Sequence, residues 1–354
     1  MKTAIDRSES IAPIYIVGCP RSGTTLLRNL LRSHPRLSFP KETHFIPQIY
    51  AAYGDPATEA QARHLAGVLL KLRWVRRWNC EFNEAALIAH RTYAGMIDEL
   101  FQTWVRLEGK QRWGDKTPKN VLHMHTLARI FPRARFIHVY RDGRDVAHSW
   151  ITSPHGPENW FTAAIEWQSL VQAGRQTAAK LPAGMYTEVR YEALLTGLET
   201  TLRHICTFLD EPFHPAILAQ DVLPIEERVH RVSAFRPYTR GLNGQAGIVK
   251  NNANKWKTNV ALKHRILFES VAGELLNELG YETEGHKQAI PAYQRLAYKA
   301  HSRVMETLVK LNTQTWEDLA PTVLQMSTAR IRSAMRPRNS RSESERNSGA
   351  KPAT

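Results

Sequence analysis

The chain has 354 residues, enough for one large domain or two ordinary ones. Hydrophobic residues at 42 % and charged residues at 23 % are the balance of a soluble globular protein, which sets aside a fibrous or wholly disordered chain. The net charge of +15 calls for an anionic partner: nucleic acid, an anionic membrane or a polyanionic small ligand.

The N-terminal stretch MKTAIDRSESIAPIYIVG has no apolar region ahead of a small-residue cleavage site, and no apolar run approaches the ~18 residues of a membrane span. Cys19, Cys80 and Cys206 are odd in number, far apart and without metal-ligand spacing, so a cytoplasmic protein with free thiols is expected. The first strand is IYIVG (14–18), a β-branched apolar run ending in glycine. Leu26, Leu27, Leu30 and Leu31 then recur at helical spacing until His34-Pro35. Residues 42–107 read as mostly helical. Thr117 is a candidate N-cap with Pro118 at the first helical position. RFIHVY (135–140) reads as a second strand, followed by a helix opening at DGRDVAHSW, a helix over 159–181, and a third strand in MYTEVRY. This alternation predicts an α/β fold: a P-loop-type parallel sheet with helices on both faces.

Residues 231–253, polar, basic and rich in Gly and Asn, read as a long surface loop, of a length that is functional or disordered rather than idle. A helical pattern returns over about 290–335. We expect residues 1–285 to form the main domain, 286–335 a C-terminal helical extension and 336–354 a disordered tail. The extension is open to three uses: packing on the core, a homodimer contact, or contact with anionic lipid.

GCPRSGTT (18–25) has the glycine spacing and hydroxyl of a phosphate loop, G-x-x-x-x-G-K-[ST], in the strand–loop–helix setting that such a loop requires. Thr24 stands where the lysine would be, and Arg21 is the nearest cation. An alternative reading is a magnesium-dependent P-loop kinase or NTPase. Against it, the loop lacks the lysine that neutralises terminal phosphates, and the strand at 135–140 runs into Arg141-Asp142 rather than ending an apolar run in Asp. A phosphosulfate, with one negative charge on its terminal group, suits Arg21 and threonine hydroxyls without a metal.

PRSGTTLLRNLL resembles the 5′-phosphosulfate segment of the sulfotransferases that use 3′-phosphoadenosine 5′-phosphosulfate (PAPS), and RFIHVYRDGRDVAHSW resembles their 3′-phosphate segment. GDKTPKNVLHMHTLARIFP and VRYEALL agree, and the resemblance runs from about residue 12 to 282. KETHFIP and the Arg of PRSGTT are most similar to the protein-tyrosine and heparan-type branches. The resemblance implies that Arg21, Ser22, Gly23, Thr24 and Thr25 cradle the 5′-phosphosulfate. It implies that Arg141 and Ser149 hold the 3′-phosphate, a fork plus a hydroxyl suited to a phosphate monoester. Tyr191 and Lys255, the latter in NKWKTN, would contact the nucleotide. Where the protein-tyrosine branch places a catalytic Ser, this chain has Asn254.

Glu42 matches the family's general base, and the apolar neighbours Phe39, Phe45 and Ile46 are expected to raise its basicity. Lys116 matches the lysine that stabilises the bridging oxygen of the leaving phosphate. A lysine at a helix start opposes the helix dipole, a misfit that such a role explains. His44, His138 and His148 read first as structural, with contact between His44 and the base or acceptor left open. Asp142 and Asp145 read as helix caps. Trp150, Trp160, Trp167 and Trp256 read as core, one of them available to stack on adenine.

A nucleic-acid-binding protein would cluster its basic and aromatic residues on one face. Here much of the excess charge falls instead at the phosphate-clamp positions and in the tail, where seven Arg and Lys against two Glu follow from Arg330 on. KLRWVRR, with Lys71, Arg73, Arg76 and Arg77 around Trp74, is a candidate wall for an acidic or polyanionic acceptor. The implied reaction is sulfonyl transfer to the hydroxyl of a tyrosyl peptide, carbohydrate or metabolite.

Overall fold

The computed structural model describes residues 12–151, 153, 159–218, 252–285 and 288–312. Strand β1 (Ile14–Gly18) is buried at every position, as its apolar run predicts, and lies at the centre of the sheet. Helix α1 (Thr24–Arg32) follows, then β2 (Leu37–Ser38). Five helices form the region predicted as helical: α2 (Ile46–Tyr53), α3 (Glu59–Lys71), α4 (Arg73–Arg76), α5 (Glu84–Ala89) and α6 (Tyr93–Leu107). Strand β3 (Arg112–Lys116), a 3₁₀ turn (Pro118–His123) and α7 (Met124–Ile130) lead to β4 (Arg135–Tyr140) and α8 (Gly143–Ile151). Next come α9 (Trp160–Ala178), β5 (Tyr186–Arg190), α10 (Tyr191–Thr196) and α11 (Leu198–Phe208). Beyond residue 251 lie α12 (Trp256–Asn259), α13 (Leu262–Glu278) and α14 (Ala292–Asn312).

The five strands are parallel in the order β2-β3-β1-β4-β5. Ile14 and Ile16 of β1 and Ile137 and Val139 of β4 share one face, where they join Leu27, Leu30 and Leu31 of α1 and Leu202 and Ile205 of α11 in one core. The intervening residues point the other way. Tyr15 stacks on Phe136 (5.4 Å between centroids) and meets Trp113 edge-on (6.1 Å). His138 lies against Gly174 of α9 and is wholly buried, which agrees with its structural reading.

From β1 the chain first runs outward to β2 and returns through β3, then crosses to β4 and β5. The order therefore reverses beside β1, and the crevice at the C-terminal ends of β1, β3 and β4 is where such sheets bind ligands. Strand β3 was not expected from the sequence. RWGDK has no apolar alternation, because the residues at its end serve the crevice rather than the core.

Helices α12 and α13 are fastened to α8 by Arg144, which is fully buried. Its guanidinium donates to Asp142 (3.0 and 2.7 Å) and Glu269 (2.7 Å) and lies 3.4 Å above the Trp256 ring. Two carboxylates and a ring face satisfy the charge, whereas removing one member of such a buried set costs about 3–5 kcal/mol. Helix α14 lies on α9, with Tyr298 stacked on Phe161 (5.3 Å) and the Asn159 amide donating to Ser302 (3.0 Å). Its Tyr293, Leu296 and Val304 are exposed. Most of the loop predicted at 231–253, the rest of the extension and the tail lie outside the described residues. Among those described, no helix is long and apolar enough to cross a membrane.

Candidate active site

The loop after β1 is shaped by its backbone. Gly18 ends the strand at φ 145°, where a Cβ would stand 2.3 Å from the Val139 carbonyl oxygen, so the two central strands can be this close only with glycine there. Arg21 (φ 71°) and Gly23 (φ 94°) are left-handed and curl the loop until the Ser22 N–H reaches the Cys19 carbonyl (3.2 Å). At Gly23 a Cβ would fall 2.2 Å from Tyr191 Cδ2, so the Tyr191 ring closes one side of the loop. Thr24 and Thr25 open α1, and the first N–H groups of a helix have no partners within it.

The second binding segment meets this loop. Arg21 Nε donates to Ser149 Oγ on α8 (3.0 Å). Arg141, at the end of β4, lies over the Tyr191 ring (4.4 Å) and donates to the Arg21 carbonyl (3.4 Å) and Asp145 (3.4 Å). It also donates to the carbonyl of Asn252, whose side-chain amide donates to Tyr191 Oη (2.8 Å). Two buried atoms in this cluster, Ser22 Oγ and Arg141 Nε, make no hydrogen bond among the described residues. An unmet hydroxyl and an unmet guanidinium N–H beside a ring of helix-terminal N–H groups suit an anion.

The catalytic candidates converge on the same loop from the other side. The ammonium that the phosphate loop lacks comes from the neighbouring strand: Lys116, last residue of β3, donates to Thr25 Oγ1 (3.2 Å) and is paired with Glu42 Oε1. Lys116 is 4 % exposed and Glu42 34 %, so the cation is enclosed while the carboxylate faces the opening. The other Glu42 oxygen lies 2.8 Å from His44 Nε2. His44 is itself left-handed (φ 55°), which aims the turn between β2 and α2 back at the crevice. Its ring stands 6.2 Å from that of Trp74, which brings the basic segment 71–77 close to Glu42.

Apolar surroundings do not raise the basicity of Glu42, contrary to expectation. Burial pushes the carboxyl up, but the His44 hydrogen bond and the Lys116 ammonium outweigh it and lower it to about 2. Burial lowers the Lys116 ammonium, against the attraction of Glu42. Behind this pair, Asp115 is wholly buried and accepts from Thr43 Oγ1 (3.1 Å), Thr117 Oγ1 (3.0 Å) and Asn120 Nδ2 (3.0 Å). Burial raises its carboxyl to about 6, with the two hydroxyls opposing.

The structure brings together Arg21, Ser22, Gly23, Thr24, Thr25, Glu42, Lys116, Arg141, Ser149 and Tyr191. Lys255 differs. It precedes α12, and among the described residues its ammonium makes no hydrogen bond, so the segment joins the cluster through Asn252 and through the Trp256 N–H, which donates to Asp145 (2.8 Å). Asp145 is thus an anchor for that segment rather than a helix cap. Asp142 does cap α8, accepting from Arg144 N (2.9 Å). Thr117 is no side-chain cap either, since its hydroxyl is committed to Asp115 and accepts from Thr43 N (3.2 Å). Sequence reasoning missed Thr43, Asp115 and Asn252. For Asp115 the available signal was an acid directly before the lysine in GDKTP.

A model described as Sulfotransferase family matches residues 13–215, more than half of the chain. The protein-tyrosine sulfotransferase 1 of Danio rerio is 28 % identical over 218 residues, covering 59 % of this chain and 56 % of its own. The protein-tyrosine sulfotransferase of Drosophila melanogaster is 24 % identical over 332 residues, 89 % of this chain and 59 % of its own. The nodulation protein NoeE of Sinorhizobium fredii is 26 % identical over 302 residues, 78 % of this chain and 68 % of its own. This chain therefore spans little more than half the length of the two protein-tyrosine sulfotransferases. Among solved structures, the sulfotransferase domain of the Synechococcus PCC 7002 olefin synthase shares the fold at a TM-score of 0.52 and 20 % identity, over 77 % of this chain and 96 % of its own. The sulfotransferase domain from the curacin biosynthetic pathway does so at 0.53 and 22 %, over 77 % of this chain and 99 % of its own.

Proposed function

The chain belongs to the sulfotransferase family, and we propose that it moves the sulfonyl group of PAPS to an acceptor hydroxyl by in-line transfer, with Glu42 as general base and Lys116 stabilising the leaving phosphate. The observation that carries this reading is the position of Lys116, whose ammonium touches both Thr25 of the anion loop and the Glu42 carboxylate. One enclosed cation thus joins the place for a phosphosulfate to the place for a base.

When bound, the donor supplies a sulfonyl group already activated by its anhydride link to phosphate. Arg21, Ser22, Gly23, Thr24 and Thr25 are suited to its 5′-phosphosulfate, and the unmet Ser22 Oγ fits such an anion. Arg141 and Ser149 are suited to the 3′-phosphate, with Tyr191 and Lys255 beside the nucleotide. Arg21 already bonds Ser149, so the two clamps are contiguous. Glu42 is ionised at neutral pH, the protonation state a base needs, and the His44 hydrogen bond and the Lys116 ammonium together hold its basicity down. A shift of that ammonium toward the loop returns the part of the basicity that Lys116 withholds, the His44 hydrogen bond remaining, which couples proton acceptance to stabilisation of the leaving group.

A tyrosyl hydroxyl is the acceptor that the protein-tyrosine sulfotransferase relatives favour, and the basic segment around Trp74 suits an acidic peptide around it. A carbohydrate or metabolite hydroxyl is the other choice. A cytoplasmic site of action rests on the cysteines, none of which forms a disulfide. The test is transfer of label from ³⁵S-PAPS to a Glu–Tyr copolymer. Incorporation that Glu42→Gln and Lys116→Met both suppress supports the reading; donor that remains intact with every hydroxyl acceptor, water included, overturns it.

A further inference from the structure

We propose that Asp115, acting through Thr43, is a positioning residue that keeps the Glu42 carboxylate aimed into the crevice when Lys116 is engaged elsewhere. This rests on the roles of Glu42 and Lys116 proposed above.

Residues 41–45 lie in neither helix nor strand, and the turn includes a left-handed His44, so no regular backbone pairing holds it. Two rungs connect it to the end of β3. The front rung is the ion pair of Glu42 with Lys116. The rear rung is Thr43 Oγ1 to Asp115 Oδ1 (3.1 Å), reinforced by Thr43 N donating to Thr117 Oγ1 (3.2 Å). Neighbouring residues of extended chain project to opposite sides, so the rungs lie back to back.

Their duties differ. The front rung cannot serve as a permanent anchor, because Lys116 must answer charge on the leaving phosphate while Glu42 takes a proton. The rear rung is buried and has no part in the chemistry. Asp115 is 1 % exposed, and its three hydrogen bonds go to Thr43, Thr117 and Asn120, so one carboxylate ties together the turn, the strand end and the 3₁₀ turn behind it. A base held by a flexible turn alone would wander, and a displacement near 1 Å costs about 100-fold in rate.

The experiment compares Thr43→Val, Thr43→Ser and Asp115→Asn with wild type. It measures kcat for ³⁵S-PAPS consumption with the Glu–Tyr copolymer or water as acceptor, Kd for 3′-phosphoadenosine 5′-phosphate (PAP) by calorimetry, and Tm. Thr43→Val is expected to lower kcat about 10- to 100-fold with PAP affinity unchanged within about twofold, and Thr43→Ser, which restores the hydroxyl, to recover most of the rate. Asp115→Asn should act in the same direction; if it fails to fold, the Thr43 pair still decides. A Thr43→Val rate near that of wild type, a parallel loss of PAP affinity, or a Thr43→Ser rate as low as that of Thr43→Val overturns the proposal. A wild-type protein that neither binds PAP nor consumes donor overturns the functional reading itself, and this inference with it.

Discussion

At the proposed donor end of the crevice, Arg21, Ser149, Arg141, Tyr191 and Asn252 hold one another in a closed set of contacts. At the acceptor end, Glu42 stands on an irregular turn, a third exposed, and depends on a lysine from another strand. The first end has its two arginines fixed by neighbouring side chains and carbonyls, an arrangement suited to binding. The second is suited to a change of state, because the proposed reaction separates Glu42 from Lys116. Variants at the two ends should therefore separate affinity from turnover.

The largest effect is expected at the acceptor end. Glu42→Gln should lower turnover about 10²- to 10⁴-fold and leave PAP binding within about twofold, as measured by steady-state kinetics beside calorimetry. Lys116→Met should cost about 10²- to 10³-fold in kcat. At the donor end, Arg141→Ala should weaken PAP about 100-fold, since it removes a charged fork that also braces Tyr191. If Glu42→Gln weakens PAP as much as Arg141→Ala does, the two ends are not separate. Ser22→Ala is the finer test. Its hydroxyl is buried without a partner, so the substitution should leave Tm unchanged or slightly raised while PAP affinity falls about 5- to 10-fold. A melting scan set against a PAP titration reads both signs.

The pH dependence of stability is the smallest effect. Glu42 is held below the ordinary glutamate value of 4.5, at about 2, so the stability it contributes is present above 4.5 and is lost as pH falls towards 2. Asp115 slopes the other way: its contribution is full below the ordinary aspartate value of 3.8 and is lost as pH rises through about 6. Wild-type minus Glu42→Gln denaturation curves between pH 2 and 5 should show the first slope and not the second. Equal curves would show that the His44 and Lys116 contacts do not hold in solution.

The same contrast governs what could be read from the sequence. Most of the proposed donor end was legible because Arg21, Arg141 and Ser149 lie within two short strand–loop–helix segments, 14–32 and 135–151, where glycine spacing and apolar runs mark the geometry; Asn252, far along the chain, was missed. Ile14–Gly18 and Arg135–Tyr140 are strands at the predicted bounds. The acceptor end was legible only as residue identities. Thr43 and Asp115 are 72 positions apart, and no periodicity announces a hydroxyl meeting a buried carboxylate at that separation. Strand β3 went unseen because Asp115 and Lys116, which would have been apolar in a strand made only for packing, are spent on the site. The basicity of Glu42 was misjudged because the apolar Phe39, Phe45 and Ile46 were weighed, whereas the groups that decide it are the His44 imidazole two residues on and the Lys116 ammonium from β3.

The most direct test of the central claim is calorimetric titration of the full chain with PAP, set against ATP with magnesium. Saturable one-to-one binding of PAP is expected, weakened about 100-fold by Arg141→Ala and left intact by Glu42→Gln, with ATP–magnesium binding far more weakly. Tight binding of ATP–magnesium without binding of PAP would contradict it and return the loop at 18–25 to the nucleotide kinases and NTPases.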